Sequence, residues 1–417
     1  MGPRARASGR ARLWPCGAGT DRTGAVAETV GGSGQFDGAA GVGTGGNERR
    51  TRARPKRAGR GVSTRTSLAA GTDGKLKRTI FAPVWIALAV AALPFALGLS
   101  VPLWVQYVPF LASVLVLGLP HGAVDHLAAA RLDGSGAGSE GPIDRPLAAV
   151  GSLYLLAGGA YLLAWLLAPA ASFVFFIALT WFHWGQGDLY VLTVLPERTH
   201  LRSPAQRLLC VLLRGGLPMI VPLLAFPAIY REIARTMIEL FDPGAITLLD
   251  PVFAFGTRLA LGIGLGALSL GALALGYRRA EGAVQRRTWR LDAAETALLW
   301  GFFLLVPPIL AVGLYFCLWH SLRHVVRVIA LGEESDTGIT GTNTTDTSRS
   351  VAREFARFAR EAAPLTVSAL VIFAGLYLLA PVTDILGLIA LYLVLLAILT
   401  LPHVLVVTWM DGKQGIW

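Results

Sequence analysis

The sequence predicts an all-α fold: a polytopic transmembrane helical bundle of about ten spans, with eight or nine as the alternative, behind a disordered basic N-terminal tail. Three observations carry this reading. Of the 417 residues, 54% are hydrophobic and 15% charged, and the mean hydropathy is +0.57, whereas soluble domains carry about 25% charged residues. From Ile80 onward, apolar stretches alternate with short polar connectors, and a stretch of about 20 apolar residues is long enough to cross a bilayer as a helix. The net charge of +11 is confined to one end: residues 1–78 hold 16 of the 37 basic and 5 of the 26 acidic residues, leaving 21 of each in the remainder.

The tail, residues 1–78, is rich in Gly, Ala, Arg, Ser and Thr, has basic runs such as Glu48 to Arg60, and lacks any sustained apolar period. It cannot bury enough surface to offset its ordering entropy. It reads as a cytoplasmic extension, with Lys75, Lys77 and Arg78 placed to attract anionic lipid headgroups. No aromatic residues interleave with the arginines on a helical face, so nucleic-acid binding is not expected. No apolar stretch begins near Met1, so a signal peptide is not indicated. The three cysteines, Cys16, Cys210 and Cys317, are far apart with no CxxC spacing; they build neither a disulfide framework nor a thiolate zinc site.

The membrane domain, residues 79–411, divides into spans at about 80–100, 104–131, 147–168, 170–194, 205–228, 252–277, 292–306, 308–331, 364–380 and 383–409. The stretch 292–331 is divided at Pro307-Pro308, because forty residues of helix would run about 60 Å, twice the hydrocarbon thickness, and proline removes the helical donor. With the tail in the cytoplasm, the connectors expected inside carry Arg198, Arg202 and Arg207, and Arg278, Arg279, Arg286, Arg287 and Arg290. The connector expected outside, Tyr230 to Pro251, is net acidic. This matches the positive-inside rule and predicts a multi-pass protein of the cell membrane. The segment 332–362 reads as a polar cytoplasmic loop whose arginines at 349, 353, 357 and 360 follow helical spacing, as in a surface-lying amphipathic helix.

Six of the seven histidines fall within predicted spans, where ionisable groups are costly and usually functional. They form four clusters: Gly118-Leu119-Pro120-His121-Gly122-Ala123-Val124-Asp125-His126, Trp181-Phe182-His183-Trp184-Gly185-Gln186-Gly187-Asp188, Leu318-Trp319-His320-Ser321-Leu322-Arg323-His324, and Leu401-Pro402-His403. His200 lies in a basic loop and reads as solvated. Several neutral imidazoles converging in a dry cavity can satisfy one another through a shared transition metal. His320 and His324, four apart on one helix, form a chelating pair. His121 and His183 join them, with Gly122, Gly185 and Gly187 allowing close helix approach. Asp125, four residues from His121, is expected to orient that imidazole, and Asp188 is likewise read as a supporting carboxylate. His126 falls about 140° around the helix from His121, and His403 reads as a helix–helix hydrogen bond; both are placed outside the primary ligand set. Arg323 and Arg327 are expected to snorkel to the interface. In the ten-span topology the four histidine-bearing helices run in the same direction, so these side chains share one layer.

On the residues alone other readings stay open. A diiron desaturase would need more histidines than this chain has. A haem-binding, cytochrome-b-like carrier would use paired axial histidines with no open position, and a Soret band would reveal it. A transporter would use Asp125, Asp188 and the histidines as a proton relay, although no interrupted helices repeat between the two halves.

In their order and spacing the four clusters resemble the Brp/Blh family of integral-membrane β-carotene 15,15'-dioxygenases, found in rhodopsin-bearing archaea and bacteria. The likeness covers about residues 80–410 and excludes the tail and the polar loop after Gly332. The resemblance implies that 79–411 is a catalytic domain. It would cleave β-carotene with O2 at the central double bond, giving two all-trans-retinal at a non-haem Fe(2+) held by His121, His183, His320 and His324, with a functional link to a retinal-binding rhodopsin. Trp181, Phe182, Trp184, Tyr315, Phe316 and Trp319 are then candidates to line a tunnel for the polyene.

Overall fold

The computed structural model describes residues 80–132, 144–194, 196, 198–328, 347–380 and 382–417. The tail 1–78 lies outside the described residues, and so does the first half of the polar loop. Among the described residues there are helices and turns but no strand. In chain order the helices are α1 (Ala82–Ala96), α2 (Leu103–Ser113), α3 (Asp125–Leu132), α4 (Asp144–Leu167), α5 (Pro169–Val194), α6 (Pro204–Ala225) and α7 (Pro227–Glu239). They continue with α8 (Asp250–Phe253), α9 (Phe255–Arg279), α10 (Gly282–Leu305), α11 (Pro308–Val328), α12 (Thr347–Leu379) and α13 (Ile385–Gln414).

This is an all-α membrane bundle. Among the described residues six helices are long and apolar enough to cross a bilayer: Leu147–Leu167 within α4, α6, α9, α11, Phe355–Leu379 within α12, and α13. The other four expected spans differ in kind. The stretch 80–100 forms α1, which is only 15 residues long. The stretch 170–194 forms the 26-residue α5, whose second half holds His183, Gln186 and Asp188. The stretch 292–306 is the apolar end of α10, which begins in the arginine-rich connector.

The stretch 104–131 is not one helix. It breaks into α2, a series of turns over residues 114–124, and α3. Pro120 lacks a donor, and a Cβ at Gly118 would lie 2.3 Å from the Ser113 carbonyl oxygen. The turns satisfy their own backbone through bonds such as Leu119 N to Ser113 O (3.2 Å) and Ala123 N to Pro120 O (3.2 Å). Irregular backbone in a membrane protein persists where protein surrounds it; residues 118–121 are buried, while Leu115 and Val116 are exposed.

Elsewhere local chemistry sets the boundaries. Ser203 and Gln206 form a capping box ahead of Pro204 at the start of α6. The extended Pro307 (ψ 145°) separates α10 from α11 at the expected break. Asp384 Oδ2 accepts from Gly387 N at 3.2 Å and caps α13. The second half of the expected polar loop is not a separate surface helix: it is continuous with the following span, α12 running from Thr347 to Leu379 without a break.

Two glycines set the α5–α6 approach. A Cβ at Gly185 would sit 2.3 Å from the Val211 carbonyl oxygen, and one at Gly215 would sit 1.8 Å from that of Trp181. α11 opens as α-helix and widens into a π-helical turn over Tyr315–Ser321, a feature that recurs at functional sites. His320 lies in that turn.

Candidate metal centre

Five imidazoles meet in one layer of the bundle. His121 comes from the turns before α3, His183 from α5, His320 and His324 from α11, and His403 from α13, and all five are buried. The His183 ring centroid lies 4.6 Å from that of His320 and 4.7 Å from that of His403. His121 stands 5.5, 5.6 and 5.1 Å from His320, His324 and His403, and His324 is 5.0 Å from His403. The chelating pair and its two expected partners are thus brought together. Gly187 makes room for this: a Cβ there would lie 3.3 Å from His320 Nδ1.

Among the described residues, candidate ligand atoms of His121, His183 and His403 all lie within 4.8 Å of one another, as do those of Asp125, His324 and His403. His320 Nε2 is 3.0 Å from His183 Nε2, the separation two nitrogens would have if bound at right angles to one ion with bonds of about 2.1 Å. His324 Nε2 and His403 Nε2 are buried without a hydrogen-bond partner. Each such orphan costs about 1–3 kcal/mol, and a shared cation would relieve them. The donor set therefore fits a first-row metal that accepts imidazole.

The structure reassigns several expected partners. Asp125 does not orient His121. Its Oδ2 accepts from His403 Nδ1 at 2.8 Å and from the Tyr154 hydroxyl at 2.6 Å, because the backbone before it is turned and the four-residue helical spacing does not apply. The His121 Nδ1 donates instead to the Gly118 carbonyl, with Ser321 Oγ at 3.3 Å. His403 does bond across helices as expected, and it also joins the cluster. His126 is half-buried and belongs to neither ligand group. Tyr154 and Ser321 carry no signal in the sequence.

Asp188 faces away from the imidazoles. Its Oδ1 accepts from Trp319 Nε1 and Arg323 at 2.9 Å each. Arg323 also donates to Glu295 at 2.6 Å. Arg214, fully buried, reaches Glu295 at 2.6 Å and Asp292 at 2.9 Å. Trp85 donates to Glu295 at 3.0 Å. Arg323 and Arg327 therefore do not snorkel: Arg327 is buried and pairs with Asp411 at 2.8 Å. Nor is His200 solvated, since it is buried with its Nε2 3.1 Å from Asp292. A buried guanidinium needs acceptors for its five donors, and three carboxylates on α5 and α10 supply them. Arg214 and Glu295, ionisable residues inside predicted spans, were the available signal for this network.

A cavity of about 570 Å³ opens beside the imidazoles, with His121, His183, His320 and His403 in its wall. Of the six expected tunnel residues, Trp184 and Phe316 line it. Trp181 instead donates to the Leu212 carbonyl and packs on Gly216. Phe182 stacks on Trp417, 6.0 Å between centroids. Tyr315 and Trp319 are buried behind Trp184 and under the Arg323 guanidinium. The rest of the lining is largely hydrocarbon. Its exposed members, Leu147, Gly151, Leu155, Gly159, Ser368 and Ile372, all belong to α4 and α12, so the cavity opens sideways between those helices. Along α4 the lining runs from Leu147 to Leu162, about 22 Å at 1.5 Å per residue, with Tyr154 near its middle.

A sequence profile described as "Beta-carotene 15,15'-dioxygenase" matches residues 112–411. The chain is 43% identical over 356 residues to "Probable beta-carotene 15,15'-dioxygenase Blh" of Halobacterium salinarum, covering 84% of this chain and 97% of that protein. It is 34% identical over 352 residues to "Probable beta-carotene 15,15'-dioxygenase Brp" of the same organism, covering 82% of this chain and 94% of that protein. No solved structure matches the chain.

Proposed function

The chain belongs to the β-carotene 15,15'-dioxygenase family, and on that footing we propose that it cleaves the central double bond of β-carotene with O2, giving two all-trans-retinal. The single observation that carries this beyond family membership is the position of the imidazole cluster. It lies in the wall of an apolar, laterally open cavity that continues past it in both directions along α4. A long hydrocarbon dissolved in the bilayer can enter between α4 and α12 without first passing into water. Its middle would then lie beside the histidines.

His121, His183, His320 and His324 would hold an Fe(2+) ion, which when bound supplies the means of activating O2. The protein contributes position and exclusion. Trp184 and Phe316 form flat apolar walls beside the cluster, and the surrounding hydrocarbon keeps water from the reacting bond. The Gly118 carbonyl holds the His121 tautomer by accepting from Nδ1. The overall change breaks one carbon–carbon double bond and places one oxygen atom of O2 on each half, so no external reductant is consumed.

We place the protein in the cell membrane with its N-terminal side in the cytoplasm, on the distribution of loop arginines. The product is a lipid-soluble aldehyde, and a retinal-binding rhodopsin is the expected consumer. Expression in carotene-accumulating cells tests the reaction. Loss of orange colour with appearance of retinal supports it; unchanged carotene alongside inserted, iron-bearing protein overturns it.

A further inference from the structure

We infer that His403 is a fifth member of the metal-holding set and that Asp125 and Tyr154 are the positioning residues that aim it. The inference rests on reading the imidazole cluster as a metal centre and adds to it a residue from the last helix, 79 positions beyond His324.

Two independent features point to this. The first is placement. His403 belongs to both groups of mutually close ligand atoms, one with His121 and His183 and the other with Asp125 and His324. It is the residue that joins the two. Its ring centroid is within 4.7–5.1 Å of three other imidazoles. The second is its hydrogen bonding. Nδ1 donates to Asp125 Oδ2 at 2.8 Å, which fixes the proton on Nδ1 and leaves the lone pair on Nε2. That Nε2 is buried and has no hydrogen-bond partner. A histidine serving only to join two helices would need just the first bond, and its second nitrogen would gain from reaching solvent or a donor. A carboxylate behind a histidine is instead the usual way to set the tautomer of a metal ligand and raise its basicity.

Tyr154 extends the chain. Its hydroxyl donates to the same Asp125 oxygen at 2.6 Å, leaving Oδ1 without a hydrogen-bond partner and 4.0 Å from His324 Nε2. Gly122 packs beside the ring, where a Cβ would stand at the ordinary contact distance of 3.5 Å from His403 Nδ1. Three elements, α3, α4 and α13, thus converge to direct one nitrogen. A six-coordinate ion accommodates five imidazoles and one further ligand.

The test uses full-length protein in detergent, with His403→Gln, Asp125→Asn and Tyr154→Phe beside His320→Gln as a reference for the primary set. Iron affinity is measured by competition with a chelator. The Co(II)-loaded proteins are examined by proton NMR for hyperfine-shifted imidazole N–H resonances. His403→Gln and Asp125→Asn should each weaken iron binding about tenfold or more. Both should remove or move the same N–H resonance, and Tyr154→Phe should shift it by less. Parent-like affinity and an unchanged cobalt spectrum in His403→Gln, with metal lost in His320→Gln, would overturn the inference and leave the metal centre standing. Parent-like binding in His320→Gln as well would instead remove the metal-centre reading itself. If His403→Gln does not insert, Tyr154→Phe decides: a moved resonance supports the inference and an unchanged spectrum overturns it.

Discussion

Asp125 and His403 are 278 residues apart, yet the carboxylate oxygen of one accepts from the imidazole nitrogen of the other at 2.8 Å. The contact joins the start of α3 to the last helix of the bundle, α13. Asp125 is buried, the Tyr154 hydroxyl donates to the same oxygen, and His324 Nε2 stands 4.0 Å from the other one. A cation held by the adjacent imidazoles would sit beside this carboxylate.

Removing either member of the α11 pair should disable the enzyme without removing it from the membrane. His320→Ala and His324→Ala are expected to abolish retinal formation and to lower iron content to background. Chromatographic assay of retinal and metal analysis of purified protein check this. Full activity in either variant would contradict the assignment of that residue.

Arg323→Met should destabilise the bundle. It strips Asp188 and Glu295 of their shared guanidinium, and breaking a buried ion pair by removing one partner costs about 3–5 kcal/mol. Thermal unfolding in detergent should show a clearly lower midpoint. An unchanged midpoint would mean that Arg214 alone balances the three carboxylates.

His200→Ala should lower stability by about 1–3 kcal/mol, because Asp292 loses a partner in a buried site. Iron content and cleavage per folded molecule should stay the same, since His200 does not belong to the imidazole cluster. Unfolding curves and iron analysis on the same preparation separate the two effects; lost iron in the folded fraction would contradict it.

Gly159→Phe should obstruct the side opening. Gly159 lines the cavity and a Cβ there meets nothing within 4 Å, so a side chain can leave the helix at this point without meeting its neighbours. β-Carotene turnover is expected to fall severalfold while iron content is unchanged. Unimpaired turnover would show that substrate enters by another route.

The bundle was legible because hydropathy acts locally: each apolar stretch signals its own burial in lipid whatever its neighbours do. The break at Pro307-Pro308 was legible for the same reason, since proline removes a donor wherever it stands. The discontinuity at residues 114–124 was not, because the segment is apolar enough to read as a span. What interrupts it is the combined effect of Pro120 and the crowding around Gly118 by Ser113 and Phe316. The charge network was half-legible. Arg323 was read as snorkelling and Arg214 and Glu295 were passed over, although both are ionisable groups in apolar stretches; nothing in their spacing said that the three meet one another.

By itself the sequence determined that this protein is an all-α membrane bundle, that six of its seven histidines fall in apolar stretches, and which of them share a helix. Those properties depend on composition and on residues within a turn or two of each other. Only the tertiary structure decided that Asp125 serves His403 and not His121, that Asp188 pairs with arginines, that four of six aromatic residues lie away from the cavity, and that the cavity opens between α4 and α12. Each of these depends on how helices rotate and slide against one another. That is set by contacts such as Gly185 on Val211 and Gly215 on Trp181, where absent side chains let two backbones touch.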